Sequence, residues 1–316
     1  MEAKWRWVLI TAIAPIAWGS NYYVTRHFLP SGYPLYGAAL RALPAGLVLF
    51  AVARVRPRGS WWWRSAVLGV LNVGAFFVLV YLAATLLPTG IAATLMAFSA
   101  VVMMLLGWVL LAQRPKPLGL LGALTGLVGV AVMLLGDGGA VNPLGVLASL
   151  AAMLMSSCGY LLGTRWGHDV SIVALTSWQL IAGGLLVLPV AAVVEGRFPP
   201  LAPSAVAGFG YVSLVATALA FAAWFAGLRH LDASTVGLIG LLNPVTGVVL
   251  GRLVASESFG PRAAIGAALV IVGVALPLRR GKGAARLRAV TRPAGPVVTP
   301  SATGPAGPRW SGSSGR

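Results

Sequence analysis

The chain has 316 residues, of which 58% are hydrophobic and 9% are charged. Because average domains carry about 25% charged residues, this composition excludes an ordinary water-soluble protein and indicates one that lies in a membrane. Lysine and arginine number 23 against six acidic residues, which gives a net charge of +17. These cations lie between apolar runs and form no solvated basic face, so they indicate membrane topology and argue against nucleic-acid binding.

Apolar runs of helical length recur along the chain as far as about residue 278. A helix needs about 20 mostly apolar residues to cross the hydrocarbon core of a bilayer. Short segments rich in proline, glycine and arginine, such as 30–32 and 114–117, separate the runs. The sequence therefore predicts an all-α integral membrane protein with ten transmembrane helices. The predicted spans lie near residues 7–26, 34–53, 65–86, 88–111, 117–136, 143–163, 172–194, 204–227, 233–254 and 261–278.

Basic residues are distributed unevenly between the two sides of the predicted spans. With the N-terminus in the cytoplasm, the cytoplasmic segments collect ten Lys and Arg residues and the basic C-terminal tail, whereas the other side holds Arg26, Arg197 and Arg262. Positive residues are retained on the cytoplasmic side of membranes. We therefore predict a multi-pass protein of a bacterial plasma (inner) membrane with both termini in the cytoplasm.

The second half of the chain repeats the first. A shift of 144 residues lays Leu87–Leu134 on Leu231–Leu278 without a gap. A slightly smaller shift, of 138 residues, lays Leu40–Leu47 on Trp178–Leu185. Aligned glycines reduce the chance of an accidental match, because glycine records backbone geometry. With the first shift, residues 122 and 129 fall on residues 266 and 273, all of them glycine.

Each half contains five predicted spans. Because five is odd, the second half enters the membrane from the opposite side, and the halves form an inverted repeat. Secondary transporters commonly have this architecture, with the substrate site between the halves near the middle of the bilayer. The predicted domains are a first five-helix repeat at 1–138, a second at 139–280 and a disordered basic tail at 281–316.

Several segments resemble the EamA-type branch of the drug/metabolite transporter superfamily, and the resemblance covers nearly the whole chain. They are Ala17–Asn21 in the first span, Arg41 in the second, Leu231–Glu257 around the ninth and the closing helix Gly266–Val274. The resemblance implies a basket of helices around a central cavity. It also implies export or exchange of amino acids, other metabolites or drugs, and it leaves the substrate open.

Acidic residues fall at span ends and in loops. Glu257 closes the ninth span, where a surface ion pair and a role in gating are both open. Gln113 occupies the corresponding place in the first half, so the chain departs from the glutamate often seen there in the family it resembles. No carboxylate stands in the middle of a span to relay protons, which favours a facilitator or exchanger over a proton antiporter.

Arg41 is the strongest candidate for a substrate-binding residue. It lies within the second span, and an ionised side chain in the middle of the membrane costs at least about 2.5 to 3.5 kcal/mol. Its guanidinium offers a planar, doubly donating fork that suits a carboxylate or phosphate. Two interpretations stay open: Arg41 binds an anionic part of the substrate, or it bonds carbonyls at the end of another helix.

Polar and aromatic side chains within the spans complete the predicted site. Amides buried in lipid need partners, so they are expected to face the protein interior, where they either bind substrate or hold helices together. The predicted substrate-binding residues are Trp18, Asn21, Tyr22, Arg41, Asn72, Phe76, Tyr81, Ser99, Tyr160, Trp178, Gln179, Trp224 and Asn243.

The favoured function is alternating-access transport of a small anionic or amphoteric metabolite, such as an amino acid, by export or exchange. A drug efflux carrier is one alternative, and a membrane enzyme or receptor is the alternative from another class. His27, His168 and His230 are scattered and Cys158 is the single cysteine, which argues against a catalytic or metal cluster. We expect no cofactor or metal, a small-molecule substrate and the lipid bilayer as partners, and a monomer or weak homodimer.

Overall fold

Helices make up the regular structure of the described residues in the computed structural model, which are 2–87, 95–134, 142–255 and 261–279. Five of the helices begin at a proline, whose fixed φ suits the first turn and whose missing N–H is not needed there. The helices are α1 (Glu2–Phe28), α2 (Pro34–Ala53), α3 (Trp61–Gly69), α4 (Ala75–Leu86), α5 (Ser99–Leu111), α6 (Pro117–Leu134), α7 (Pro143–Trp166), α8 (Ile172–Val194), α9 (Pro203–Ser213), α10 (Ala220–His230), α11 (Ala233–Gly240), α12 (Leu242–Ala255) and α13 (Pro261–Arg279).

Two predicted spans contain a short π-helical segment. Val70–Gly74 joins α3 to α4, and Leu214–Leu219 joins α9 to α10. A π segment carries i→i+5 hydrogen bonds in place of i→i+4 bonds and is frequent at functional sites. The apolar pattern did not predict these segments, because they change backbone hydrogen bonding and leave the composition of a span unaltered.

The helices occupy the stretches in which spans were predicted. Within the described ranges, five stretches are long and apolar enough to cross a membrane: α2, Trp61–Ala83, α7, α8 and Pro203–His230. Shorter apolar helices include Leu95–Leu111 and Pro117–Val132. The all-α membrane fold predicted from the sequence is confirmed, whereas the count of ten spans stays a prediction. The predicted boundary between the halves and the C-terminal tail lie outside the described residues, as does Glu257.

Large apolar side chains cover the outside of the helices. Val193 is 85% exposed and Val109 is 75% exposed, and many leucines and valines accompany them. Soluble monomers rarely expose large contiguous apolar surfaces, but lipid tails solvate such side chains without cost. The outer surface is therefore that of a protein embedded in a bilayer.

The last helices of the two halves, α6 and α13, cross with their backbones in contact. A Cβ atom on Gly122 would lie 2.5 Å from the carbonyl oxygen of Gly273, and one on Gly129 would lie 2.6 Å from that of Gly266. The 144-residue shift turns Gly122 into Gly266 and Gly129 into Gly273, so it exchanges these two contacts. Since residue numbers rise along α6 as they fall along α13, the helices are antiparallel, which is the relation that an inverted repeat requires.

The second helices of the halves, α2 and α8, repeat this symmetry. Gly46 packs against Ile181, and Gly184 packs against Leu43. The 138-residue shift found in the sequence exchanges these two contacts as well. Other pairs follow the same rule: α1 packs on α10 as α7 packs on α4, and α1 packs on α12 as α7 packs on α5. The fold thus consists of two repeated halves, and each half makes the same helix contacts with the other.

Side chains from one half also cap helices of the other. The carboxylate of Glu195 accepts hydrogen bonds from the backbone N–H groups of Leu35 and Tyr36, at 2.6 and 2.9 Å, and a negative charge at a helix N-terminus is favourable. Gln113 performs a similar task with a neutral group, because its Oε1 accepts from the N–H of Ala233 at 2.8 Å. Gln113 therefore has a structural role at the start of α11.

Candidate functional site

A cavity of about 200 Å³ lies between the two halves. Its walls come from α1, α2, α4, α5, α7, α10, α11 and α12, together with residues 96 and 97 just before α5. The cavity thus brings together side chains that are up to 226 positions apart in the sequence, from Trp18 to Pro244. Eight of the residues predicted for the site line it: Trp18, Asn21, Arg41, Phe76, Ser99, Tyr160, Trp224 and Asn243.

Four aromatic rings form one wall of the cavity. Trp18 of α1 lies 5.2 Å from Trp224 and 5.6 Å from Phe221, measured between ring centroids. Tyr160 of α7 lies 5.5 Å from Trp224 and 6.2 Å from Phe221. These distances and tilted orientations are those that aromatic quadrupoles favour. The wall is therefore a rigid apolar surface that a flat or hydrophobic solute can contact.

Arg41 lies at the cavity with its guanidinium fixed by α9–α10. Its Nε donates to Oγ1 of Thr217 at 3.0 Å and its terminal nitrogen donates to the carbonyl of Ala216 at 3.3 Å. The guanidinium carbon also lies 4.5 Å from the ring centroid of Phe77, a cation–π distance. Nε1 of Trp18 donates to the same Ala216 carbonyl at 3.1 Å. Arg41 thus lines the cavity and bonds a carbonyl within a span, and the binding of substrate by Arg41 stays a prediction.

Asn72 and Gln179 lie outside the cavity lining and bond to each other. Nδ2 of Asn72 donates to Oε1 of Gln179 at 2.7 Å, and neither side chain is exposed. Gly159 of α7 packs directly against the Asn72 amide, where a larger residue would collide. The pair joins the first π segment to α8, as Arg41 joins the second π segment to α2.

Three residues of the cavity lining carry buried polar atoms that have no hydrogen-bond partner among the described residues. They are Oδ1 of Asn21, Oδ1 of Asn243 and Nε1 of Trp224. Unpaired buried polar groups are rare in proteins and each needs an explanation. Four further unpaired atoms among the described residues lie away from the cavity, on Arg64, Ser65, Asn72 and Gln179. The three at the cavity are placed where a polar ligand or ordered water can bond them.

Three other residues of the predicted site have different surroundings. Nε1 of Trp178 donates to the carbonyl of Val55 at 2.9 Å, and its ring contacts Trp61 away from the cavity. Tyr81 is 45% exposed on the outer surface of α4. The side chain of Tyr22 lies outside the described residues.

The cavity also contains residues that were not predicted. The repeat could have identified Val80, because the 144-residue shift, when extended backwards, pairs it with the predicted residue Trp224. The lining residues that were missed are Phe77, Val80, Met96, Ala97, Met103, Ser156, Phe221, Gly240, Leu241 and Pro244.

The charge of the cavity comes from Arg41. Among the described residues that line it, Arg41 is the only charged side chain and none is acidic. The described ranges also contain no group of three or more His, Cys, Asp or Glu residues that could hold a metal ion. A guanidinium in a largely apolar cavity attracts an anionic group.

Two antiparallel halves around a shared cavity, with a lipid-facing outer surface, define a multi-pass membrane protein of the transporter class. The model of the EamA-like transporter family matches the chain twice, at residues 5–135 and 143–279. The chain belongs to this family and is a membrane transporter.

Relatives in several bacteria are similar over most of their length. Protein PecM of Dickeya dadantii (strain 3937) is 34% identical over 85% of this chain and 93% of its own. The uncharacterized inner membrane transporter YedA of Escherichia coli (strain K12) is 28% identical over 90% and 92%. A probable terminal-alkyne amino-acid exporter of Streptantibioticus cattleyicolor is 28% identical over 89% and 95%. A solved crystal structure superposes with a TM-score of 0.77 at 21% identity, covering 89% of this chain and 98% of its own, which shows the shared fold.

Proposed function

We propose that this protein is a secondary transporter that exports or exchanges a small metabolite, such as an amino acid or a related compound, by alternating access. The observation that carries this proposal is the cavity between two antiparallel, repeated halves. Two similar halves of opposite orientation have two nearly equivalent arrangements, one open to each side of the membrane. Exchange between these arrangements moves a bound solute.

The cavity chemistry supports an anionic or zwitterionic solute. Arg41 supplies a positive charge with no acidic side chain near it in the lining, and a guanidinium binds a carboxylate through two parallel hydrogen bonds. The unpaired oxygens of Asn21 and Asn243 accept hydrogen bonds from a group such as an ammonium. The aromatic wall of Trp18 and its neighbours suits an apolar or flat remainder.

Drug efflux is the less favoured form of the same function. A lipophilic cation in this cavity would face the charge of Arg41 without a carboxylate in the described lining to balance it. Uncharged hydrophobic compounds remain compatible with the aromatic wall. The amino-acid exporter among the relatives also supports a metabolite, although its substrate is a property of that protein.

The same features support a driving force and a location for this transporter. With no carboxylate in the described part of the cavity, exchange or facilitated movement is a simpler mechanism than proton antiport, and no catalytic step is expected. The excess of basic residues in alternate loops supports a bacterial plasma membrane with both termini in the cytoplasm. Labelling of single cysteines at residues 4 and 197 from each side of sealed cells tests this orientation.

Transport itself is tested with the purified protein in proteoliposomes. Vesicles are preloaded with one unlabelled amino acid or carboxylate, and entry of the same radiolabelled compound is followed against protein-free vesicles. We expect counterflow for at least one carboxylate-bearing compound and a much smaller signal for its neutral amide. Absence of counterflow for every compound, with protein shown to be folded and inserted in both orientations, contradicts the proposal.

A further inference from the structure

The two π segments occupy equivalent places in the two halves, and each is bonded by a side chain of the opposite half. Gln179 of α8 bonds Asn72 within Val70–Gly74. Arg41 of α2 bonds Ala216 and Thr217 within Leu214–Leu219. The 138-residue shift superposes Arg41 on Gln179, and the 144-residue shift superposes the starts of the π segments. We call each of these contacts, Gln179 with Asn72 and Arg41 with Ala216 and Thr217, a clamp. The two clamps occupy equivalent places in the two halves.

The clamps differ in charge and in accessibility. The Asn72–Gln179 clamp is a neutral amide pair with no exposed surface, and neither residue lines the cavity. The clamp made by Arg41 is cationic and forms part of the cavity wall. A solute in the cavity thus reaches one clamp and not the other.

The Arg41 clamp can exchange its partners for an anion. Its acceptors in the second π segment are a hydroxyl and a carbonyl, both uncharged, whereas a carboxylate accepts shorter and stronger charge-assisted bonds from the same fork. Release of Ala216 does not leave its carbonyl unpaired, because Nε1 of Trp18 also donates to it. Leaving a buried acceptor without any donor would carry a larger penalty.

We propose that Arg41 is a solute-operated latch on the second half of the transporter. An anionic group in the cavity draws the guanidinium away from Thr217 and Ala216, and Leu214–Leu219 becomes free to bend because helices kink where their regular hydrogen-bond ladder is interrupted. The neutral clamp holds Val70–Gly74 in place meanwhile. Binding of the solute therefore bends α9–α10 relative to α3–α4, which makes the two halves unequal partners in the transport cycle. The inference rests on the proposed function. It adds that the second half responds to the solute before the first half does.

Amide hydrogen exchange of the full-length protein in nanodiscs tests the latch. The probes are acetate and phenylacetate, each compared with its neutral amide, acetamide and phenylacetamide. Loss of a charge-assisted hydrogen bond corresponds to about a tenfold change in an opening equilibrium. We expect each carboxylate to raise exchange at Leu214–Leu219 by about this factor and to leave Val70–Gly74 unchanged, while the amides alter neither segment.

A variant in which the contacts at both π segments are neutral provides the decisive comparison. R41Q with T217N places a Gln–Asn pair at the second π segment, and its exchange is expected to show no response to either carboxylate. N72T alters the other clamp, keeps Arg41 and is expected to keep the response of the unmodified protein. Size-exclusion profiles and melting temperatures establish that both variants are folded.

The outcomes separate the latch from the transport function. An unchanged Leu214–Leu219 segment, an equal response of both π segments, or a response that persists in R41Q/T217N overturns the latch. Counterflow of a carboxylate together with any of these results leaves the proposed function intact. A segment-selective response without counterflow supports the latch and contradicts transport.

Discussion

Arg41 and Gln179 stand at equivalent positions of two antiparallel helices, and each bonds the π segment of the opposite half. The distances are similar, 3.0 Å from Arg41 to the hydroxyl of Thr217 and 2.7 Å from Asn72 to Gln179. Only the charged member of the pair lines the cavity. Four predictions follow from this arrangement and from the packing around it.

Replacing Arg41 with alanine is expected to lower the transport of carboxylate-bearing solutes about 10- to 100-fold, since a hydrogen bond to a charged group contributes about 1.5 to 3 kcal/mol. Arg41→Lys keeps the charge without the planar fork, so its transport rate is expected to lie between those of the unmodified protein and Arg41→Ala. Initial rates of counterflow measure the effect, with Arg56→Ala in an exposed loop as the matched control. An equal loss for neutral and carboxylate-bearing solutes would show that Arg41 acts on the fold alone.

Trp18 and Trp224 are expected to differ in how much the same substitution destabilises the protein. Trp18→Phe removes a hydrogen bond to Ala216 and is expected to cost about 1 kcal/mol of stability. Trp224→Phe loses packing but removes an N–H that has no partner among the described residues, so it is expected to cost less than Trp18→Phe. Melting temperatures of the purified variants measure the difference. A lower melting temperature for Trp224→Phe than for Trp18→Phe contradicts this prediction.

The buried amide pair predicts a non-additive double-mutant cycle. Gln179→Leu leaves the Asn72 amide without its partner and is expected to cost about 1 to 3 kcal/mol. Adding Asn72→Leu removes the stranded group, so the double variant is expected to be less destabilised than the sum of the single variants. Unfolding equilibria in mixed micelles measure all four proteins. Simple additivity would mean that the 2.7 Å bond contributes no coupling energy.

A side chain at Gly129 is expected to destabilise the fold. A methyl group there would lie 2.6 Å from the carbonyl oxygen of Gly266, and overpacking of this kind costs about 1 to 3 kcal/mol. Gly210 of α9 is the matched control, because a Cβ there has no neighbour within 4 Å. Gly210→Ala is expected to melt at or slightly above the temperature of the unmodified protein, and Gly129→Ala below it. Equal melting temperatures would show that α6 and α13 can separate at little cost.

The sequence predicted the parts of the fold that depend on apolar length and on the repeat. The glycines at 122, 129, 266 and 273 were aligned by the shift alone, and the structure brings the same four residues together in pairs. Asn72 and Gln179 were expected to face the interior because lipid offers an amide no partner, and both are fully buried. Their pairing with each other could not be predicted, since it depends on how two helices from different halves cross.

Other residues of the cavity lining could not be predicted from the sequence. Phe221 and Met103 are apolar residues in apolar helices, so nothing in their pattern separates a cavity wall from a packed core. Trp178 has the same residue type as Trp18, yet it bonds the loop carbonyl of Val55 while Trp18 lines the cavity. The direction of a side chain within a span is decided by tertiary packing, which a single sequence does not record.

The bond between Asn72 and Gln179 joins residues that are 107 positions apart, on different halves. A ribosome adds about 5 to 20 residues per second, so Asn72 enters the bilayer about 5 to 20 s before its partner has been made. During that interval the Asn72 amide lacks the side chain that it bonds in the finished fold, because α8 has not yet been made. An amide without a partner is costly in lipid, so the first half of the chain reaches its stable arrangement only after the second half has been made.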